Sequence, residues 1–284
     1  MNLVELLTDP TVRTVVLGAA LLGLGSGALG VFALLRRQSL LGDTMAHAAL
    51  PGVVAGYLLA GERSLGAMLT GALVSGVLAA LFALYLARAT RVKSDAALGT
   101  SLSLGFAVGV VLLTVAQRQP GASHAGLDAF LFGQAAATLP SDLGILAVVV
   151  TVALALMAVF WQHAKLTTFD PDFAAAAGLR VGWVEAGLTG LLALAIVIGL
   201  QLVGVVLMSA MVVAPAAAAR QWSRSLGVMV VIAGVIGVVS AVAGALLSAT
   251  ASGLATGPVV VLVASAIVAV SFVLAPRRAA PQEA

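Results

Sequence analysis

GVMVVIAGVIGVVSAVAGALL, residues 227–247, runs for twenty-one positions without a single charged side chain. A bilayer core takes about 20 helical residues to cross, so this stretch alone reads as a transmembrane helix. Six further runs have the same character: Val15–Leu35, Leu65–Ala87, Ala96–Ala116, Leu143–Trp161, Gly187–Val203 and Pro258–Leu274. The whole chain agrees with them, since 62% of its 284 residues are hydrophobic and only 9% are charged. Soluble domains carry about a quarter charged residues, and a water-facing surface cannot be made from so few. The expected fold is all-α, a polytopic membrane helix bundle of about eight or nine transmembrane helices. It forms one transmembrane domain over residues 1–284, embedded in the lipid bilayer.

Two weaker segments, Thr44–Ala60 with His47 and Gly204–Ala219 with Pro215, bring the count to nine if each crosses. Either could instead be a broken or re-entrant helix, tolerated where protein or water covers the freed backbone. Lys and Arg set the orientation. Eleven of the fourteen fall in alternate loops, against three (Arg13, Arg63 and Arg118) in the intervening ones. The richer set belongs in the cytoplasm. Residues 1–13 then form an external N-terminal segment and 276–284 a cytoplasmic tail. The opening MNLVELLTDPTVR does not read as a cleavable leader, being acidic before it is basic. In the long external connection, FLFGQAAATL is expected to lie as a short interfacial helix. The net charge of +3 sits in scattered clusters rather than on one face, which argues against a nucleic-acid partner. Glycine pairs four residues apart, Gly23/Gly27, Gly52/Gly56, Gly105/Gly109 and Gly253/Gly257, suit close helix packing and a compact bundle, with a dimer expected.

Chemistry concentrates in few places. Asp43 and His47 stand four apart, on one face of a helix and within reach of each other. A carboxylate with an imidazole suits a first-row divalent ion, whether Mn, Zn or Fe, and ionisable residues inside membrane helices mark transport paths. The competing reading makes Asp43 a helix cap after Gly42 and leaves His47 at the interface. A count along the chain puts Asp43 near the cytoplasmic end, so a mid-membrane site requires residues 38–42 to tuck inward. Asp170 before Pro171 reads as a cap of a short cytoplasmic helix that Gly178 ends. From 204 to 224 an apolar helix is expected to bend near Pro215 and finish in Arg220, Trp222 and Arg224, either as an interfacial anchor or as a dock for a cytoplasmic partner. His124 and His163 read as solvated or interfacial. The chain has no GxxxxGK[ST] loop, so any ATP that drives it binds to another chain.

Three stretches in order resemble the permease subunit of the ABC-3 family of metal-ion ABC transporters. The first is Arg36-x-x-Ser39-Leu40-x-Gly42-Asp43-x-x-x-His47-Ala48-x-x-Pro51-Gly52. The second is Asp170-Pro171-Asp172-Phe173-Ala174 with Gly178-Leu179. The third is Gly204-Val205-x-Leu207 leading to Ala214-Pro215-Ala216-Ala217-x-Ala219-Arg220. The resemblance covers roughly residues 14 to 275. It implies a transport subunit rather than an enzyme, with no resident cofactor and with manganese, zinc or iron as cargo. It implies a second permease subunit, cytoplasmic ATPases, an external metal-binding protein, and a place in the inner or plasma membrane. By resemblance Asp43 and His47 contact the metal, and the segment from Pro215 through Arg220 and Trp222 to Arg224 couples to the ATPase. Two other readings stay open: a permease for a siderophore or cobalamin chelate, and an ion-coupled secondary carrier.

Overall fold

The computed structural model describes residues 9–61, 64–118, 140–250 and 255–275, and every regular element among them is a helix. In chain order they are α1 (Pro10–Leu35), α2 (Leu41–Ala60), α3 (Leu65–Ala89), α4 (Ser94–Gln117), α5 (Pro140–Val159), α6 (Trp161–Phe169), α7 (Pro171–Ala176), α8 (Val181–Trp222), α9 (Leu226–Thr250) and α10 (Thr256–Leu274). The expected interfacial helix at FLFGQAAATL, His124 and the tail 276–284 lie outside the described residues. Local chemistry explains several boundaries. Asp9 caps α1 by accepting from Thr11 N at 2.8 Å, with Pro10 in the first turn, where its missing N–H costs nothing. Asp170 caps α7 through Phe173 N at 2.9 Å, and Gly178, at φ 85°, ends it as expected.

Five helices, α1, α3, α4, α9 and α10, are long and apolar enough to cross a bilayer alone. The pair α5 and α6, bent by 70° at Phe160, makes a sixth candidate. The difference from eight or nine lies in α2 and α8. Helix α2 carries Asp43, Thr44, His47 and Pro51, which dilute its apolar character. Helix α8, Val181–Trp222, is two helical segments that meet at a kink at Gly204. There φ is 80° and ψ is 171°, a combination open essentially to glycine alone. The bend expected near Pro215 is absent, since Pro215 keeps helical dihedrals, and the interruption falls at the boundary between the segments Gly187–Val203 and Gly204–Ala219.

Helix α1 is central, 67% of its apolar window being buried against 22% for α10. Glycine lets its neighbours come close. Gly23 faces the backbone of Gly237 on α9, Gly27 faces Ala233, and Gly30 meets Val212 on α8. Gly52 and Gly56 seat α2 on Gly71 and Ala67 of α3, and Gly105 and Gly109 seat α4 on Ala48 and Leu50 of α2. These three pairs are spent on packing within one chain, so they supply no argument for a dimer. The outer faces are apolar instead: Val231, Val235 and Val239, four apart on α9, are all exposed. Lipid tails rather than water suit such a surface.

Candidate functional site

A five-residue link, Arg36–Leu40, joins α1 to α2. Arg37 turns the chain with φ 56°, and the N–H of Gln38 donates back to Ala33 O at 2.9 Å. The reversal is tight, so α2 starts inside the bundle. Gly42 lies against Val212, the residue that Gly30 also meets. One turn later Met45 faces Gly76, the twelfth residue of the 25-residue α3, and Ala48 faces Gly105, the twelfth of the 24-residue α4. The first turns of α2 thus reach the mid-length of two spanning helices. Of residues 38–42, Leu41 and Gly42 are buried and already helical, whereas Leu40 is exposed, so the inward turn is made by the start of α2 and not by irregular backbone. Thr44 steadies it, donating to Leu40 O at 2.8 Å and lying 3.2 Å from Leu98 O on α4.

His47 Nε2 lies 3.3 Å from Asp43 Oδ1, with the two side chains 27% and 34% exposed. An ion bonded at about 2.1 Å to both atoms holds them roughly 3.0–3.4 Å apart for bond angles between square and tetrahedral. The pair is therefore already spaced for one shared cation. The cap position of α2 is Leu40, whose side chain makes no cap hydrogen bond, while Asp43 stands in the first turn, where the helix dipole favours a carboxylate. Among the described residues no third His, Asp or Glu joins the pair into a metal-sized cluster. His47 Nδ1 is buried and without a hydrogen-bond partner, and the ring stands edge-on to Phe106, with centroids 5.3 Å apart and planes at 89°.

The second site segment is divided. Arg220, Trp222 and Arg224 are exposed at the turn between α8 and α9. Pro215 is buried two turns away, its Cβ against the space over Gly27 of α1. It belongs to the α1–α8 contact and not to an accessible surface. His163 is exposed beside Phe160, with ring centroids 6.0 Å apart.

Sequence reasoning missed two residues. Glu185 on α8 reaches Arg36 at 2.8 Å and Arg88 at 3.2 Å, tying together the ends of α1 and α3 and the first turns of α8. It also lines, with Gln38, Leu41, Ser94 and Leu98, a cavity of about 260 Å³ beside the first turn of α2. Arg88 and Glu185 are 97 positions apart, so no local spacing announces them. Phe106 is equally silent, one more aromatic residue in an apolar run.

The model of the ABC 3 transport family matches residues 8–275. The zinc transport system membrane protein TroC of Treponema pallidum is 47% identical over 277 residues, 97% of this chain and 93% of that protein. The manganese transport system membrane protein MntC of Bacillus subtilis is 46% identical over 96% of this chain, which spans only 62% of that longer relative. Among solved structures, PsaBC from Streptococcus pneumoniae in complex with Fab is similar with TM-score 0.84 and 32% identity, over 96% of this chain and 95% of that one.

Proposed function

The chain belongs to the ABC 3 transport family, a multi-pass membrane permease subunit of an ABC transporter, and from that premise we propose that it imports divalent transition-metal ions through a path lined by Asp43 and His47. The observation that carries the reading is the pair itself, an imidazole nitrogen 3.3 Å from a carboxylate oxygen at the mid-length of α3 and α4. Relatives named for zinc and manganese transport support cargo of that class, and iron takes the same ligand types. A bulky organic chelate needs no such pair. An ion-coupled carrier does not fit membership of an ABC family.

The remaining parts follow from chemistry. A polar pair about one-third exposed at this depth is costly against lipid, so a second permease subunit covers that face and supplies further ligands. ATP is hydrolysed by cytoplasmic subunits that dock on Arg220, Trp222 and Arg224, and an external metal-binding protein delivers the ion. The Lys- and Arg-rich loops lie on the cytoplasmic side of the inner or plasma membrane.

Radiometal uptake by cells carrying single variants tests the assignment. Asp43→Asn and His47→Ala each reduce uptake at least tenfold while membrane insertion persists. The double variant is little worse than either single one, because both residues act on one ion. Near-normal uptake in both single variants ends the metal-site reading.

A further inference from the structure

A histidine that ligates a metal generally donates its other ring N–H to a carboxylate, a carbonyl or water, and this fixes the ring plane and strengthens the ligand. Among the described residues none gives His47 that support. Nε2 faces Asp43, while Nδ1 is buried with no hydrogen-bond partner. What holds the imidazole is an aromatic ring, Phe106, at a centroid distance of 5.3 Å and an interplanar angle of 89°. Edge-to-face pairs prefer this geometry, with centroids about 4.5–7 Å apart. We propose that Phe106 is a positioning residue for the transported ion, orienting His47 in place of the missing hydrogen bond. The inference rests on the metal-path reading of Asp43 and His47.

The fold places Phe106 by a specific device. A Cβ on Gly105 would lie 2.8 Å from Ala48 Cβ, so only glycine lets α4 approach α2 this closely. The next residue then comes to the level of His47. Phe106 is 40% exposed, comparable with the side chains of the pair. An apolar orienter has a chemical consequence. It fixes the ring plane but neither accepts a proton from Nδ1 nor raises the basicity of Nε2, as a carboxylate would. His47 is then well aimed yet a modest donor. A transport site needs this balance, since an ion must bind well enough to enter and weakly enough to leave.

The test measures equilibrium binding of radioactive manganese(II) and zinc(II), each alone, to the detergent-purified complex of the permease with its ATPase, without the external binding protein. Phe106→Ala raises the dissociation constant about tenfold, in the range of lost orienting partners. Phe106→Tyr keeps the ring and stays within twofold of the parent. Phe106→Leu keeps the bulk but loses the ring, and follows the alanine variant. Melting temperatures of all three separate a folding defect from a binding one. If Asp43→Asn and His47→Ala abolish binding while Phe106→Ala leaves it unchanged, the positioning role is overturned and the metal site stands. If Phe106→Leu binds like the parent, bulk rather than ring orientation matters and the inference is overturned. If Asp43→Asn and His47→Ala bind like the parent, or the parent binds neither ion, the site reading falls and takes this inference with it.

Discussion

Glu185 shows how much a single side chain can hold when the sequence hides its partners. The Arg36 side chain is only 9% exposed and its one carboxylate partner among the described residues is Glu185 at 2.8 Å. Arg88, on the other oxygen, is 62% exposed. Removing the shared carboxylate leaves a nearly buried guanidinium unpaired, whereas removing Arg88 breaks a solvated pair. Glu185→Gln is therefore expected to destabilise the protein by about 2–3 kcal/mol, short of the cost for a fully buried pair. Arg88→Ala is expected to cost less than about 1 kcal/mol. Thermal melting of the two variants in detergent checks the order, and equal losses would contradict it. The same reasoning explains why Asp43→Asn discriminates at the metal pair. Asn caps a helix about as well as Asp but supplies no negative oxygen to a cation, so a capping role would survive the change and a metal role would not.

At the scale of elements, α8 carries the main departure from expectation. Proline was the visible breaker, yet Pro215 sits inside helical backbone and the interruption is at Gly204. Proline removes one N–H and leaves φ near its helical value, so a bundle can absorb it where neighbours cover the freed carbonyl. A residue at φ 80° and ψ 171° has no such latitude. Gly204→Ala is expected to cost about 1–3 kcal/mol through backbone strain, or to force the break to move. The loss appears as a lower melting temperature and lower uptake, while Pro215→Ala stays close to the parent in backbone order. Hydrogen exchange across residues 200–215 reads the difference. A Gly204→Ala variant as stable as the parent would show that the break tolerates a Cβ.

For the molecule as a whole, the proposed function assigns ATP hydrolysis to a separate chain. The permease alone in liposomes is expected to show no ATP-stimulated metal uptake, and adding its ATPase restores it. Arg220 and Trp222, in the last turn of α8, and Arg224, just beyond it, are exposed, where substitution costs little stability. Replacing all three by alanine should leave insertion and metal binding intact while lowering metal-stimulated ATP hydrolysis severalfold. Normal hydrolysis and transport in that variant would reduce the turn to an interfacial anchor.

Read by itself, the sequence determined that this is a helical membrane protein, where its strongest spans run, that Asp170 caps a short helix, and that Asp43 and His47 share a face. These are local properties: hydropathy over about 20 residues, a cap within one turn, a four-residue spacing. The tertiary structure decided the level of α2 against its neighbours, because that level depends on where a tight link returns the helix against Val212, Gly76 and Gly105. It also decided that the described glycine pairs pack within the chain, that α8 is interrupted at Gly204, that Glu185 joins Arg36 and Arg88, and that Phe106 lies edge-on to His47. Those facts are set by contacts between residues tens of positions apart. A linear pattern cannot display them, since apolar helices of similar composition can pack against one another in many registers.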